Sequence, residues 1–180
     1  DNLRQQSAMW QAMLMAAKIP SSTHIIINGF FTGDGGLKMS KSLGNVTNPY
    51  DIVVEYGPEP LRYFVVGEVW MFEDWPFTME RFKEAYNAKL ANGLGNLTSR
   101  IMKMAETHLV DVVQIPEKSI PDEFFAYLEK FEIGKATQYI WEEISALDQK
   151  IQETEPFKLV KTDPEKGKEI ISELAVRLYT

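Results

Sequence analysis

The chain reads as mainly α, with the remnant of an α/β domain followed by an all-helical bundle. Three observations predict this. One short β-branched run, "HIIIN" at 24–28, stands among helical spacings and reads as a buried strand. A glycine- and serine-rich loop follows it and leads into a proline-initiated helix. From Thr78 onward, apolar residues recur every three or four positions for about thirty residues.

The elements follow in order. "RQQSAMWQAMLMAAK", 4–18, carries Met9, Met13, Ala16 and Ala17 at helical spacing and is closed by Pro20. A helix feeding a strand belongs to a parallel α/β sheet, and one strand cannot make a sheet, so the remaining strands are expected upstream and the chain is expected to be a fragment. "TGDGGLKMSKSLGN" is loop. Asn48 before Pro49 is an N-cap with proline at the first helical position, and "YDIVVEY" runs to a stop at Gly57. "PEPLRYFVVGEV", 58–69, is a second amphipathic helix with Leu61, Phe64, Val65 and Val69 on one side. The aromatic stretch "WMFEDWPF", 70–77, is read as the boundary between two domains, 1–72 and 73–180. Thr78 caps a long helix whose apolar positions are Phe82, Tyr86, Leu90, Leu94, Leu97, Ile101 and Met104. Gly93 and Gly95 each weaken it by roughly 1 kcal/mol relative to alanine, a cost that close packing is expected to offset. "VDVVQIPEKSIP" is a linker, and helices resume at 122–131, 133–154 and about 164–180.

Composition sets the limits. In 180 residues, 44% hydrophobic and 12% aromatic content suffices for a packed core. Cysteine is absent, which excludes disulfides and thiolate metal sites. No apolar run reaches the roughly 18 residues of a membrane span, and "DNLRQQSAMW" lacks a signal-peptide pattern, so no membrane and a cytoplasmic location are expected. A net charge of −7 requires any nucleic-acid contact to come from a local basic patch. His24 and His108 are far apart and read as structural, and Glu142–Glu143 reads as a solvated helix face. No Gly-x-Ser-x-Gly elbow or Walker loop is present. The chemical signal is the loop, where Lys38 and Lys41 stand three apart between serines. Two ammonium groups on a glycine-hinged loop can close over a polyphosphate and meet the charge that develops as it departs.

"KMSKS", 38–42, followed by Leu43-Gly44-Asn45, resembles the signature loop of the class I aminoacyl-tRNA synthetases. Within that class, "DNLRQQSAMWQAML", "YGPEPLRYFVV", "FKEAYNAKLANGLGNLTSRI" and "QETEPFKL" are most similar to the methionyl enzymes, with isoleucyl, valyl and leucyl enzymes as relatives. The resemblance implies a Rossmann-like catalytic domain, of which 1–72 is the C-terminal part, and a helical anticodon-binding domain over 73–180. It implies ATP-dependent activation of methionine and transfer to tRNA(Met), with ATP and Mg2+ entering as substrate. By position, Lys38, Met39, Ser40, Lys41 and Ser42 would bind ATP, and Lys38 and Lys41 would stabilise the departing pyrophosphate. Asp1 and Gln6 would meet the amino acid, Gln6 standing where the family usually has histidine. Asn28-Gly29 replaces the usual His-Gly, and the family's His-x-Gly-His signature is absent, so this stretch alone is expected not to catalyse the full reaction. A fragment of an isoleucyl, valyl or leucyl enzyme is the first alternative, and a tRNA-binding module without catalysis is the alternative of a different kind. Asn96 and Arg100 match an Asn-x-x-x-Arg pattern that reads the anticodon, and Phe157 stands where tryptophan usually stacks on a base.

Overall fold

The computed structural model describes residues 2–40, 42, 44–117 and 120–179. The first helix, α1, is assembled from Asn2–Arg4, a wider π turn over Gln5–Met9 and Trp10–Ala16. It ends before Lys18, whose left-handed φ of 56° turns the chain out ahead of Pro20. Met9, Trp10, Met13 and Met15 are all exposed, so its apolar stripe has no partner among the described residues.

The strand expected at 24–28 does not form. Ile25, Ile26 and Ile27 lie outside any strand and are exposed. β-branched residues favour a strand because neighbours pack on a pleated surface, and that surface is missing around them. Pairing starts a few residues later. The Gly29 amide donates to Met71 O at 2.9 Å and that of Phe30 to the Asp74 carboxylate at 2.8 Å. β1, Phe31–Thr32, then runs parallel to β2, Trp75–Pro76, with Phe31 opposite Trp75 and Thr32 opposite Pro76.

Local chemistry sets the next two helices. Asn48 caps α2, Pro49–Tyr56, by accepting from the Tyr50 amide at 3.2 Å, and Gly57 ends it at a φ of 82°. Pro58–Gly67 forms α3. Phe64 of α3 and Ile52 of α2 are buried with Phe77 and Phe82, and Met39, Leu61 and Val69 pack against them. The rings meet edge to face, Phe64 lying 5.3 Å from Phe77 and 5.7 Å from Phe82. This cluster draws residues from both sides of the 72/73 position.

The Thr78 hydroxyl accepts from the Arg81 amide at 3.2 Å and starts α4. α4 is continuous through Met79–Ala85, a π stretch Tyr86–Gly95 and Asn96–His108. Gly93 sits where an added Cβ would lie 3.4 Å from the Trp141 ring and 3.2 Å from Ala88 O, so the close packing expected there is present. The remaining helices are α5, Asp122–Glu129, α6, Ile133–Thr154, α7, Pro156–Thr162, and α8, Pro164–Tyr179. α7 was not expected from the sequence. Glu155 adopts a left-handed φ of 40°, reversing the chain so that Pro156 can open a new helix. The second core joins Leu97 and Ile101 of α4, Leu147 and Ile151 of α6 and Leu174 of α8. No helix is long and apolar enough to cross a membrane, among the described residues.

Candidate nucleotide loop and base-reading groove

The loop that follows β1 is anchored at both ends. Thr32, buried, forms an antiparallel bridge to Lys38, and the Gly33 amide donates to Leu37 O at 2.6 Å. Between them Gly35 and Gly36 take left-handed φ values of 66° and 76°, which a side chain would oppose. Asn45 closes the far end. Its Oδ1 accepts from the Ser40 amide at 2.8 Å and its Nδ2 donates to Lys38 O at 3.3 Å. The Ser40 and Ser42 hydroxyls lie 2.8 Å apart, and Met39 is packed into the aromatic core. The backbone of Lys38 to Ser40 is therefore tied down, while the Lys38 side chain is exposed to solvent. Lys41 lies outside the described residues, as does Asp1. Gln6 is exposed on the π turn of α1, and its carbonyl accepts from Gln11 Nε2 at 2.9 Å. Asn45 had no role in the sequence reading, because an amide's partners depend on how the loop closes.

The predicted base-reading residues come together around Arg100. Asn96 and Arg100 are one turn apart on α4 and line a groove of about 720 Å³ between α4 and α6. Arg100 Nη1 donates to Asp148 Oδ1 at 2.6 Å, and Gln152 Nε2 donates to the other carboxylate oxygen at 2.6 Å. Both ends of this ion pair remain partly exposed, so its contribution is at most about 1 kcal/mol. What it does fix is the position of the guanidinium, leaving further N–H donors for a ligand. Phe157, at the start of α7, lines a second groove of about 570 Å³, which Arg100 also borders. The residue is 43% exposed, with Lys158 Nζ 5.8 Å from the ring centroid. The ring is thus not part of either core, and one face is open to solvent beside a cation.

α3 and α6 meet through Tyr63 and Trp141, whose rings lie 5.9 Å apart and edge on, and Trp141 also lines the Asn96 groove. Burial pushes the Tyr63 phenol well above its usual range, and a 2.9 Å hydrogen bond to the Glu68 carboxylate raises it further. Among the described residues no group of three or more His, Asp or Glu side chains could hold a metal ion.

The comparisons bear on this arrangement. Residues 1–102 match the family of tRNA synthetases class I (M). The chain is 33% identical over 181 aligned positions to the methionine–tRNA ligase of Clostridium acetobutylicum, an alignment covering 93% of this chain and 28% of that protein. To the enzyme of Thermosynechococcus vestitus it is 46% identical over 105 positions, 58% of this chain and 20% of the relative. The fold matches a crystal structure of Mycobacterium tuberculosis methionyl-tRNA synthetase bound by methionyl-adenylate, with a TM-score of 0.81 at 24% identity, covering 98% of this chain and 37% of that one. The chain thus spans under a third of the length of the curated relatives it matches. A class I signature string on an anchored loop, continued into the helices that the methionine enzymes share, leads to one conclusion: this chain belongs to the class I (M) tRNA synthetases and corresponds to a fragment of a methionyl-tRNA synthetase.

Proposed function

We propose that this chain supplies the signature loop and the anticodon-reading surface of a cytoplasmic methionine–tRNA ligase. Residues 1–72 would be the C-terminal part of its Rossmann-like catalytic domain and 73–180 its anticodon-binding domain. The observation that carries this reading is a loop pinned at Thr32–Lys38 and at Asn45 while the Lys38 ammonium stays in solvent. Such a loop holds its backbone in place and can bring lysine charge to a phosphate without refolding.

In the reaction so proposed, a methionine carboxylate oxygen attacks the α-phosphorus of ATP and the bond to the bridging oxygen of pyrophosphate breaks. Negative charge grows on the departing pyrophosphate, where Lys38 and Lys41 meet it. Met39, Ser40 and Ser42 shape the loop around the nucleotide. Asp1 and Gln6 would face the amino acid. A terminal hydroxyl of tRNA(Met) then attacks the adenylate carbonyl and AMP leaves. Recognition of the tRNA falls to Asn96, Arg100 and Phe157, because amide, guanidinium and ring together can read and stack unpaired bases.

The two sites separate by mutation in the full-length enzyme. Lys41→Ala should lower methionine-dependent ATP–pyrophosphate exchange by about 100-fold or more, the usual effect of losing one charge-stabilising donor, with tRNA affinity little changed. Arg100→Ala should leave exchange nearly intact and reduce charging roughly 5- to 150-fold, the equivalent of about 1–3 kcal/mol. Equal losses on cognate and altered anticodons would refute base reading by Arg100.

A further inference from the structure

The two grooves that meet at Arg100 differ in chemistry. The Asn96 groove is lined by amides and by both signs of charge, Lys89 and Arg100 against the Asp148 carboxylate, a balance that suits the neutral, hydrogen-bonding edge of a base. The other groove is lined by Arg100, Lys103, His108, Ser99, Thr107 and the Phe157 ring, with no carboxylate among its lining residues. Ser99, Lys103 and Thr107 follow one another at four-residue intervals, so cation and hydroxyls form one stripe along α4. The Thr107 hydroxyl is turned to the helix, donating to Lys103 O at 2.7 Å. Lys103 Nζ is 2.8 Å from Glu106, but both side chains are more than 70% exposed, and a pair of that kind gives way readily to a stronger anion. At about 570 Å³ the groove falls within the size range of small-molecule sites. An aromatic face at one side and cationic donors at the other, whose partner acids Asp148 and Glu106 lie outside the groove lining, are the two halves of a nucleotide site.

We propose that this second groove seats the nucleotide next to the one read at Asn96, with its base on Phe157 and its phosphate at Lys103 and His108. The inference rests on the reading of Arg100 as a base contact and adds two residues that read no sequence. Lys103 and His108 hold backbone and set the register of the strand, while Asn96 and Arg100 discriminate.

The test is an anisotropy titration of the 180-residue chain with a labelled stem-loop RNA carrying the methionine anticodon, over a range of salt. A second RNA replaces the loop phosphates one at a time by neutral methylphosphonate. Lys103→Ala should weaken binding of cognate and altered anticodons by the same factor and reduce the salt slope by about 0.7, the share of one single-strand phosphate. One methylphosphonate position should weaken binding to the wild type and have no further effect on Lys103→Ala, and His108→Gln should show a smaller loss at that position. Circular dichroism establishes that each variant is folded. If Arg100→Ala removes discrimination while Lys103→Ala leaves affinity and slope unchanged, the phosphate assignment is overturned and the base-reading assignment stands. Should Arg100→Ala leave discrimination intact, the underlying reading fails instead. A neutral linkage that weakens wild type and Lys103→Ala equally also overturns the proposal.

Discussion

Gly29 shows how one missing side chain holds the N-terminal part in register. A Cβ placed there would lie 1.9 Å from Glu73 O and 2.1 Å from its carbonyl carbon, both backbone atoms that cannot step aside. The Gly29 amide meanwhile donates to Met71 O, so the two segments cross in contact immediately before β1 pairs with β2. Gly29→Ala must push the crossing apart. Thermal unfolding should show a loss above about 2 kcal/mol, in the upper range for single substitutions. Gly134, the second residue of α6, has nothing within 4 Å of the position of an added Cβ, and Gly134→Ala should be neutral or stabilising by up to about 1 kcal/mol. Equal effects at the two sites would show that backbone crowding is not what selects glycine at 29. The same local logic explains what sequence alone could supply. Asn48, Gly57 and Thr78 were readable as caps because a cap's partner lies two to four residues away. Asn45 was not, since its partners are chosen by a loop that first has to close.

Helices were read well and strands poorly for a related reason. The 133–154 helix matches its observed bounds, because helical period and partners lie within the segment. "HIIIN" has β propensity without a neighbouring strand to realise it, while the observed pair uses only Phe31–Thr32 and Trp75–Pro76, too short to leave an alternating pattern. α7 was missed because its start depends on one strained residue, Glu155, in the left-handed region. The contact between α3 and α6 carries a pH signature. Since the Tyr63 phenol is held above its ordinary value of about 10, folding favours its protonated form. That stability is fully present below about pH 10 and is lost as pH climbs from there toward the raised value in the folded protein. Urea unfolding between pH 9 and 11 should therefore fall more steeply for the wild type than for Tyr63→Phe; parallel profiles would mean that Tyr63 carries no such linkage.

The molecule as a whole has two cores and an exposed apolar edge. One core gathers Ile52, Phe64, Phe77 and Phe82, the other Leu97, Ile101, Leu147, Ile151 and Leu174. The exposed stripe of α1 and the exposed run Ile25–Ile27 belong to neither. Residues 78–180, with their own buried cluster, should accordingly resist amide exchange, and residues 1–30 should exchange early. Matching protection in 24–28 and in α4 would contradict this.

Both cores hang on α4, which contributes Phe82 to the first and Leu97 and Ile101 to the second. That helix is therefore a ruler as well as a support. Eighteen residues separate Phe82 from Arg100, so the first core and the grooves at Arg100 stand roughly 25 Å apart at a rotation fixed by helical pitch. One residue inserted after Asn92 would turn Arg100 by about 100° relative to Phe82. In the full-length enzyme, ATP–pyrophosphate exchange should persist through that insertion while charging collapses, and undiminished charging would mean that the grooves are not indexed by the helix. Changes of length in this family should accordingly collect in the 110–121 linker rather than in α4, since residues added there leave the spacing along α4 unchanged.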